Sequence, residues 1–351
     1  MHRVSARRQT RLLSADAGGI AEAADVLRAG GLVAFPTETV YGLGAHALDA
    51  QAVQGIFEAK QRPANDPVIV HMYDASQISE LAVATPLTWK LAERYWPGPL
   101  TLVLHKLPCV PAEVTAGLPT VAVRVPAHPI ARALLRATDL PIAAPSANLF
   151  GRPSPTRGEH VLHDLDGRID AVVVGGSATV GVESTIVDIS SMPPRLLRPG
   201  GLATEDIEQM LGVRLLRPPM SANGSQLAPG LLPTHYAPRT GLTLVTGAPL
   251  RARSRLLSEV SAALASGQRV GILAVEEDRQ VIPPEARIEI VGAWSDPSTT
   301  ASRLFDAIRI LDAAGLDVIF ARELADPLLG LGQALADRLR RAAQRVVDTR
   351  D

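Results

Sequence analysis

Apolar runs and amphipathic stretches alternate along the chain from Gly18 to about Leu211. Ile20, Ala23, Val26 and Leu27 recur at helical spacing, and Gly30-Gly31 can end the helix they predict over 19–29. The run LVAF (32–35) predicts a short buried strand. Asp49 can cap a second helix over 50–60, with Val53, Ile56 and Phe57 inward and Lys60 in the last turn. Further strands are predicted at 68–72, 100–106, 120–125, 141–144, 171–175, 184–189 and 194–198. Helices are predicted at 75–82, 87–95, 128–137 and 157–165. The alternation is not strict, so the pattern predicts an α/β domain built on a twisted, mixed sheet.

The pattern stops between about 213 and 240, where Pro, Gly, Ser and Asn dominate. A spacer accounts for that composition, but long irregular segments are often functional. The HYAP near its end carries side chains that a passive spacer does not need. Beyond it a second αβ pattern predicts strands at 242–245, 270–275, 287–292 and 318–322 and helices at 250–266, 298–314 and 331–346. That order predicts a smaller Rossmann-like α/β domain. No GxGxxG follows its first strand, so a dinucleotide is not implied. The expected division is 15–212, then a linker over 213–240, then 241–351.

At 351 residues the chain is long for one core, and 46% hydrophobic residues suffice for two. The single cysteine, Cys109, can make neither an internal disulfide nor a cysteine metal cluster. No run approaches the roughly 18 apolar residues of a membrane helix. The opening MHRVSARRQTRLLSADAGG is basic but lacks the apolar stretch of a signal peptide. A cytoplasmic protein is expected. The net charge of −1 argues against binding nucleic acid through global charge. It leaves room for a local basic cleft.

Six strings carry candidate chemistry. PTETVYGLG (36–44) predicts a tight turn with donors facing out at a strand end. In KQRPANDP (60–67), Lys60 and Arg62 flank a turn forced by Pro63, a placement that suits a polyphosphate or a solvated helix end equally. His71 lies within an apolar strand, as core histidines do. In TVAVRVP (120–126), Arg124 lies on the strand face opposite Val121, Val123 and Val125. APSANLFGRPSPT (144–156) is a hydroxyl-rich loop past a strand, with Ser146, Asn148, Ser154 and Thr156. GVESTIVDI brings Ser184, and RLLRPGG ends on Arg198 before a Pro-Gly turn. The chain has no Walker A string, no HExxH and no nucleophile elbow. Cations, hydroxyls and amides at strand ends suit anion binding and nucleotidyl transfer better than acid–base hydrolysis.

These strings, with PVIVH, WPGPLT (96–101) and TVAVRVPAHP, closely resemble the threonylcarbamoyl-AMP synthase family over about residues 15–211, its YrdC-like domain. Residues 225–239 look like the linker of that family's two-domain form, and 240–351 look, more weakly, like its accessory domain, LGLGQALADRLRRAA being the best string. The resemblance implies that L-threonine, bicarbonate and ATP give threonylcarbamoyl-AMP and pyrophosphate, with magnesium as the triphosphate's counter-ion. It implies a downstream partner that transfers the group to tRNA, and leaves open a weak direct contact with tRNA. By resemblance Thr39, His71, Arg124, Ala144 and Ser184 hold threonine. Arg62, Asp66, Thr120, Ser146, Asn148, Ser154, Arg198 and Tyr236 hold ATP, and Lys60 with Arg62 is catalytic. Similar proteins often read Asp-Asn where this chain has Asn65-Asp66; an acidic group there repels phosphate unless it faces magnesium or the ribose. Tyr236 reaches the nucleotide only if residues 225–239 fold back as a lid. The competing reading is a non-catalytic RNA-binding module, which scarce aromatics (3%) disfavour.

Overall fold

A computed structural model describes residues 9–217 and 235–349. The described residues form two sheets. The first holds β1 (Arg11–Leu13), β2 (Val33–Pro36), β3 (Tyr41–His46), β4 (Ile69–His71), β5 (Leu100–His105), β6 (Thr120–Arg124), β7 (Ile142–Ala143), β8 (Ala171–Val173), β9 (Thr185–Asp188) and β10 (Arg195–Arg198). Its order is β1-β8-β2-β3-β7-β4-β6-β5-β9-β10. Parallel pairs such as β4 with β6 alternate with antiparallel ones such as β2 with β3, so the sheet is mixed.

Both faces of this sheet are covered, which is why its strands read as apolar runs. Val33 and Phe35 pack with the helices Ala17–Arg28 and Pro129–Thr138. Leu32 and Ala34 point the other way, into a larger core with Ile56, Leu102 and Val123. Asp49 caps the helix Ala50–Lys60, its carboxylate accepting from the Gln51 and Ala52 amides at 2.9 and 3.2 Å. Gln61 ends it in the left-handed region, at φ 53°.

The second sheet holds β11 (Leu242–Thr246), β12 (Val270–Ala274), β13 (Arg287–Ile290), β14 (Val318–Arg322) and β15 (Arg345–Asp348), in the order β13-β12-β14-β11-β15. Every pairing in it is parallel, with helices Pro249–Ala265, Pro297–Asp312 and Gly330–Ala342 between strands.

Four elements differ from expectation. The string 36–44 is a hairpin rather than a turn alone, with Pro36 opposite Tyr41 and Val33 opposite Gly44. Its Gly44 serves packing: a Cβ there would stand 2.8 Å from Phe35 and 2.9 Å from Ile142. Residues 11–13, in the basic opening, form an edge strand beside β8. A helix at Thr204–Leu211 buries Ile207 in the first core, so it belongs with the first sheet. The last helix stops at Ala342, and Arg345–Asp348 pairs with β11. Two adjacent valines there satisfy a strand as readily as a helix.

The two sheets' layers pack closely. Val40 and Val182, from loops of the first, share one apolar cluster with Leu304, Phe305 and Leu335 of the second. Gly181, at φ +77°, lies directly on the helix Pro297–Asp312: a Cβ there would stand 2.3 Å from the Ser302 Cα. Buried Arg309 reaches back to Asp164 at 2.7 Å, and Arg152 to Asp312 at 2.8 Å.

Candidate functional site

β4 and β6 run parallel with His71 opposite Arg124, so their C-terminal ends deliver an imidazole and a guanidinium side by side. Strand C-termini are where open α/β sheets place ligands. The β2–β3 turn adds Thr37, Thr39 and Val40; the loop after β7 adds Ala144, Pro145 and Ser146. Glu183 and Ser184 enter just before β9, Arg62 from the turn after the second helix, and Arg198 from the end of β10. His235 and Tyr236 close the ring from the linker. The free space left among these groups is about 40 Å³. That is room for a few waters, against the roughly 300–1,000 Å³ of a ligand site. The cavity is therefore narrow, with His235 and Tyr236 forming its wall on the linker side.

The threonine-assigned residues converge. Arg124 donates from Nε to the Gly98 carbonyl at 3.1 Å, from Nη1 to Thr39 at 3.0 Å and from Nη2 to Glu38 at 2.6 Å. Among the described residues three of its five N–H groups are thus used and two remain. Burial pushes the Glu38 carboxyl up, but the charge and hydrogen bond of Arg124 outweigh it and hold it below its ordinary value. Burial, reinforced by Arg124, holds His71 at about 3, so its imidazole is neutral. Among the described residues its buried Nδ1 has no aligned hydrogen-bond partner. Ser184 shares a hydrogen bond of 2.8 Å with Thr101, and its carbonyl accepts from Arg198 at 3.0 Å.

The ATP-assigned residues divide. Arg62, Ser146, Arg198 and Tyr236 line the cavity. Asp66 does not: it is fully buried as the counter-ion of Arg62, at 2.9 Å. Neither of its carboxylate oxygens has an aligned hydrogen bond. Burial pushes its carboxyl up against the pull of Arg62. Thr120 begins β6 and is not among the lining residues, which include Arg124 at the far end of that strand and Ile69 opposite Ala122. Asn148 knits its own loop, donating to the Leu149 carbonyl at 2.7 Å and the Arg152 carbonyl at 3.0 Å. Ser154 donates to Glu183 at 2.5 Å, behind the wall.

Lys60 is also outside the lining. Its ammonium, 1% exposed, donates to the carbonyls of Ser146 and Asn148. Burial first, then the charge of Arg62, holds its pKa well below the ordinary lysine value. In this geometry the lysine ties down the loop that presents Ser146. Lys60→Ala is then expected to cost about 1–3 kcal/mol of stability, because two buried carbonyls lose their donor, along with turnover. Thermal melting measured beside turnover checks this. A turnover loss with an unchanged melting temperature would return Lys60 to a role as charge donor to the substrate.

Sequence reasoning passed over Glu183, Glu38 and His235. Glu183 accepts from Ser154 on one oxygen and from Arg338 on the other, at 2.6 Å. Burial pushes it up, yet Arg338 and Arg198 hold it at about 2. Each of the three stands beside a residue already singled out, within PTETV, GVESTI or HYAP. Arg338 had a signal of its own: it falls at apolar-face spacing with Ala334, Leu335 and Ala342.

Of the expected lid, residues 225–234 lie outside the described residues. The described end is pinned on both sides: the His235 amide donates to the Arg341 carbonyl at 3.0 Å and the Ala237 amide to the Gly151 carbonyl at 2.7 Å. Between them Tyr236 holds φ +63° while fully buried. Such backbone costs about 1–3 kcal/mol and persists where the surroundings enforce it. Burial pushes the Tyr236 hydroxyl up to about 12, so it stays protonated.

The two buried histidines set an acid limit. Burial, aided by Arg62 and Lys60, holds His235 at about 3, as it does His71. Unfolded, each takes a proton near 6.5. Between those values the unfolded chain binds more protons, so stability falls as pH drops from about 6.5 toward 3. The slope reaches about 1.4 kcal/mol per pH unit for each group. Glu183 adds a loss of its own below its ordinary 4.5. Melting temperature is expected to fall between pH 7 and pH 5, and to fall less in His235→Gln. An equal slope in both proteins would contradict this assignment.

Residues 25–200 match the family described as telomere recombination, and residues 202–344 match threonylcarbamoyl-AMP synthase, C-terminal domain. The threonylcarbamoyl-AMP synthase of Bacillus subtilis is 45% identical over 337 residues, covering 94% of each chain. That of Pyrococcus abyssi is 43% identical over 327 residues, covering 92% of this chain and 93% of the relative. A crystal structure of the Pyrococcus abyssi protein complexed with L-threonine is similar at a TM-score of 0.91 and 41% identity, covering 97% of this chain and all of that one.

Proposed function

The chain belongs to the threonylcarbamoyl-AMP synthase family, and we propose that its cavity joins L-threonine, bicarbonate and ATP into threonylcarbamoyl-AMP, releasing pyrophosphate. The chain is an enzyme of the nucleotidyl-transfer kind, which sets aside the RNA-binding alternative. The observation that carries the reading is the pairing of His71 and Arg124 at adjacent strand ends, in a fold shared with a threonine-bound relative.

Each residue has a chemical task in this reading. Arg124 offers its two remaining N–H groups to the threonine carboxylate, as guanidinium forks do. Neutral His71 turns a ring nitrogen toward the threonine side, and Thr39 and Ser184 offer hydroxyls there. The threonine amino nitrogen attacks the bicarbonate carbon and water departs, leaving a carbamate. A carbamate oxygen then attacks the α-phosphorus of ATP; the bond to the β-phosphate oxygen breaks and pyrophosphate leaves. Arg62 and Arg198 face the charge that spreads onto the phosphate oxygens, so no protein nucleophile is required. Tyr236 and His235 cover the nucleotide and keep water from the carbamate and the mixed anhydride.

Magnesium enters this scheme with the triphosphate. Asp66 is committed to Arg62, and both Glu183 oxygens are engaged. No cluster of three His, Cys, Asp or Glu side chains suited to a metal lies among the described residues. A hydrated ion held by phosphate oxygens fits this donor set better than a protein cage. The product's mixed anhydride requires a consumer, which we take to be a tRNA threonylcarbamoyl transferase. No helix among the described residues is long and apolar enough to cross a membrane, which fits the proposed cytoplasmic setting. Pyrophosphate release from ATP that requires both threonine and bicarbonate is the expected result. Release that ignores either would overturn the reading.

A further inference from the structure

The helix Gly330–Ala342 carries an arginine where its apolar stripe should continue. Arg338 is 1% exposed and is the largest of the fully buried side chains among the described residues. An ion costs much to bury unless its hydrogen bonds are met, so its partners show what it is for. They belong to the wall of the cavity. Nε donates to Glu183 at 2.6 Å, and Nη2 donates to the carbonyl of Pro199, the neighbour of Arg198, at 3.1 Å. The guanidinium carbon stands 5.3 Å from the centre of the Tyr236 ring, within cation–π range. Nη1 turns to Asp337, which also takes Arg341.

We propose that Arg338 is a positioning residue through which the second domain sets the first domain's affinity for ATP. One side chain fixes three pieces of the cavity wall that come from three separate stretches of chain: Glu183, the Arg198–Pro199 turn, and Tyr236. It also decides the charge of that wall. Glu183 lines the cavity and carries a negative charge beside the place proposed for the triphosphate. Ser154 and Arg338 together occupy its carboxylate. Without Arg338 that charge keeps the Ser154 hydrogen bond and the charge of Arg198 but loses its directly bonded cation, and more of the repulsion falls on ATP. On the threonine side Arg124 is held by Gly98, Thr39 and Glu38, whereas Arg338 bonds Glu183, Asp337 and Pro199. The inference rests on the reading of the cavity as the ATP and threonine site.

Steady-state pyrophosphate release by the full chain tests it. Arg338→Met is expected to raise the KM for ATP about tenfold or more, in the usual range for coupling between sites, and to leave the KM for threonine within about twofold. Arg338→Lys, which keeps the charge, is expected to recover part of the loss. Adding Glu183→Gln to Arg338→Met is expected to recover part of it by removing the negative charge that Arg338 had paired. Arg322→Met serves as the comparison, because it breaks the buried Arg322–Asp278 pair within the second domain. It should lower the melting temperature and leave the KM for ATP unchanged. Equal changes in both KM values in Arg338→Met, or an Arg322→Met that reproduces its kinetics, would overturn the inference. If the unaltered protein shows no threonine- and bicarbonate-dependent release, the functional reading fails instead.

Discussion

Arg124→Met is expected to lower threonine-dependent pyrophosphate release by roughly 10²–10³-fold, the cost of removing one preorganised charged donor from a buried site. Two losses combine. In the proposed site the carboxylate of threonine loses its paired N–H donors. Glu38, now without its partner, stands as a buried anion beside the same subsite. Breaking one side of a buried pair typically costs about 3–5 kcal/mol, so the melting temperature should fall as well. Arg124→Lys keeps the charge but cannot reproduce three directed contacts to Gly98, Thr39 and Glu38. It is expected to regain stability and little activity. The check is kcat and the KM for threonine in both variants beside their melting curves. Full activity in Arg124→Met would remove this residue from the threonine subsite.

Gly200→Ala is the second substitution with a large expected effect. The added Cβ would stand 2.3 Å from the Glu183 carbonyl oxygen and the Ser184 carbonyl carbon, and 2.4 Å from the Thr185 amide nitrogen. All three are backbone atoms, so no side chain can swing aside. The relief must come from moving the Glu183–Ser184 segment, which lines the cavity, away from the Arg198 turn. A displacement near 1 Å in a reacting geometry costs about 10²-fold. A loss of that size in kcat/KM, with a lower melting temperature, is expected. Gly212→Ala is the companion control, since no atom lies within 4 Å of its would-be Cβ; strain at its φ of +70° should cost stability but little activity.

The fold was legible where local signals agreed. The helix Ala50–Lys60 was read end to end because Asp49 caps it and Val53, Ile56 and Phe57 mark its inward face. Strand β3 was not, because Gly42 and Gly44 weaken the strand signal in a segment that needs glycine against Ala144, Phe35 and Ile142. Strand β15 was absorbed into the preceding helix because nothing local marks where Ala342 stops the apolar stripe. The site was legible at the level of strings rather than of side chains. Spacing put Lys60 beside Arg62, but only the fold shows Arg62 in the cavity and Lys60 turned to the Ser146 and Asn148 carbonyls. Asp66 read as a difficulty for phosphate binding, and the fold buries it against Arg62, outside the cavity lining. Arg338 lies 155 residues from Glu183, a pairing that no periodicity within either segment announces.

That one cavity makes threonylcarbamoyl-AMP can be read by mass spectrometry of the reaction of the full chain with ATP, L-threonine and carbon-labelled bicarbonate. An adenylate that carries both the threonine and the labelled carbon is expected, at a yield strongly lowered in Arg124→Met. An adenylate without the label, or the same yield from Arg124→Met, would contradict it.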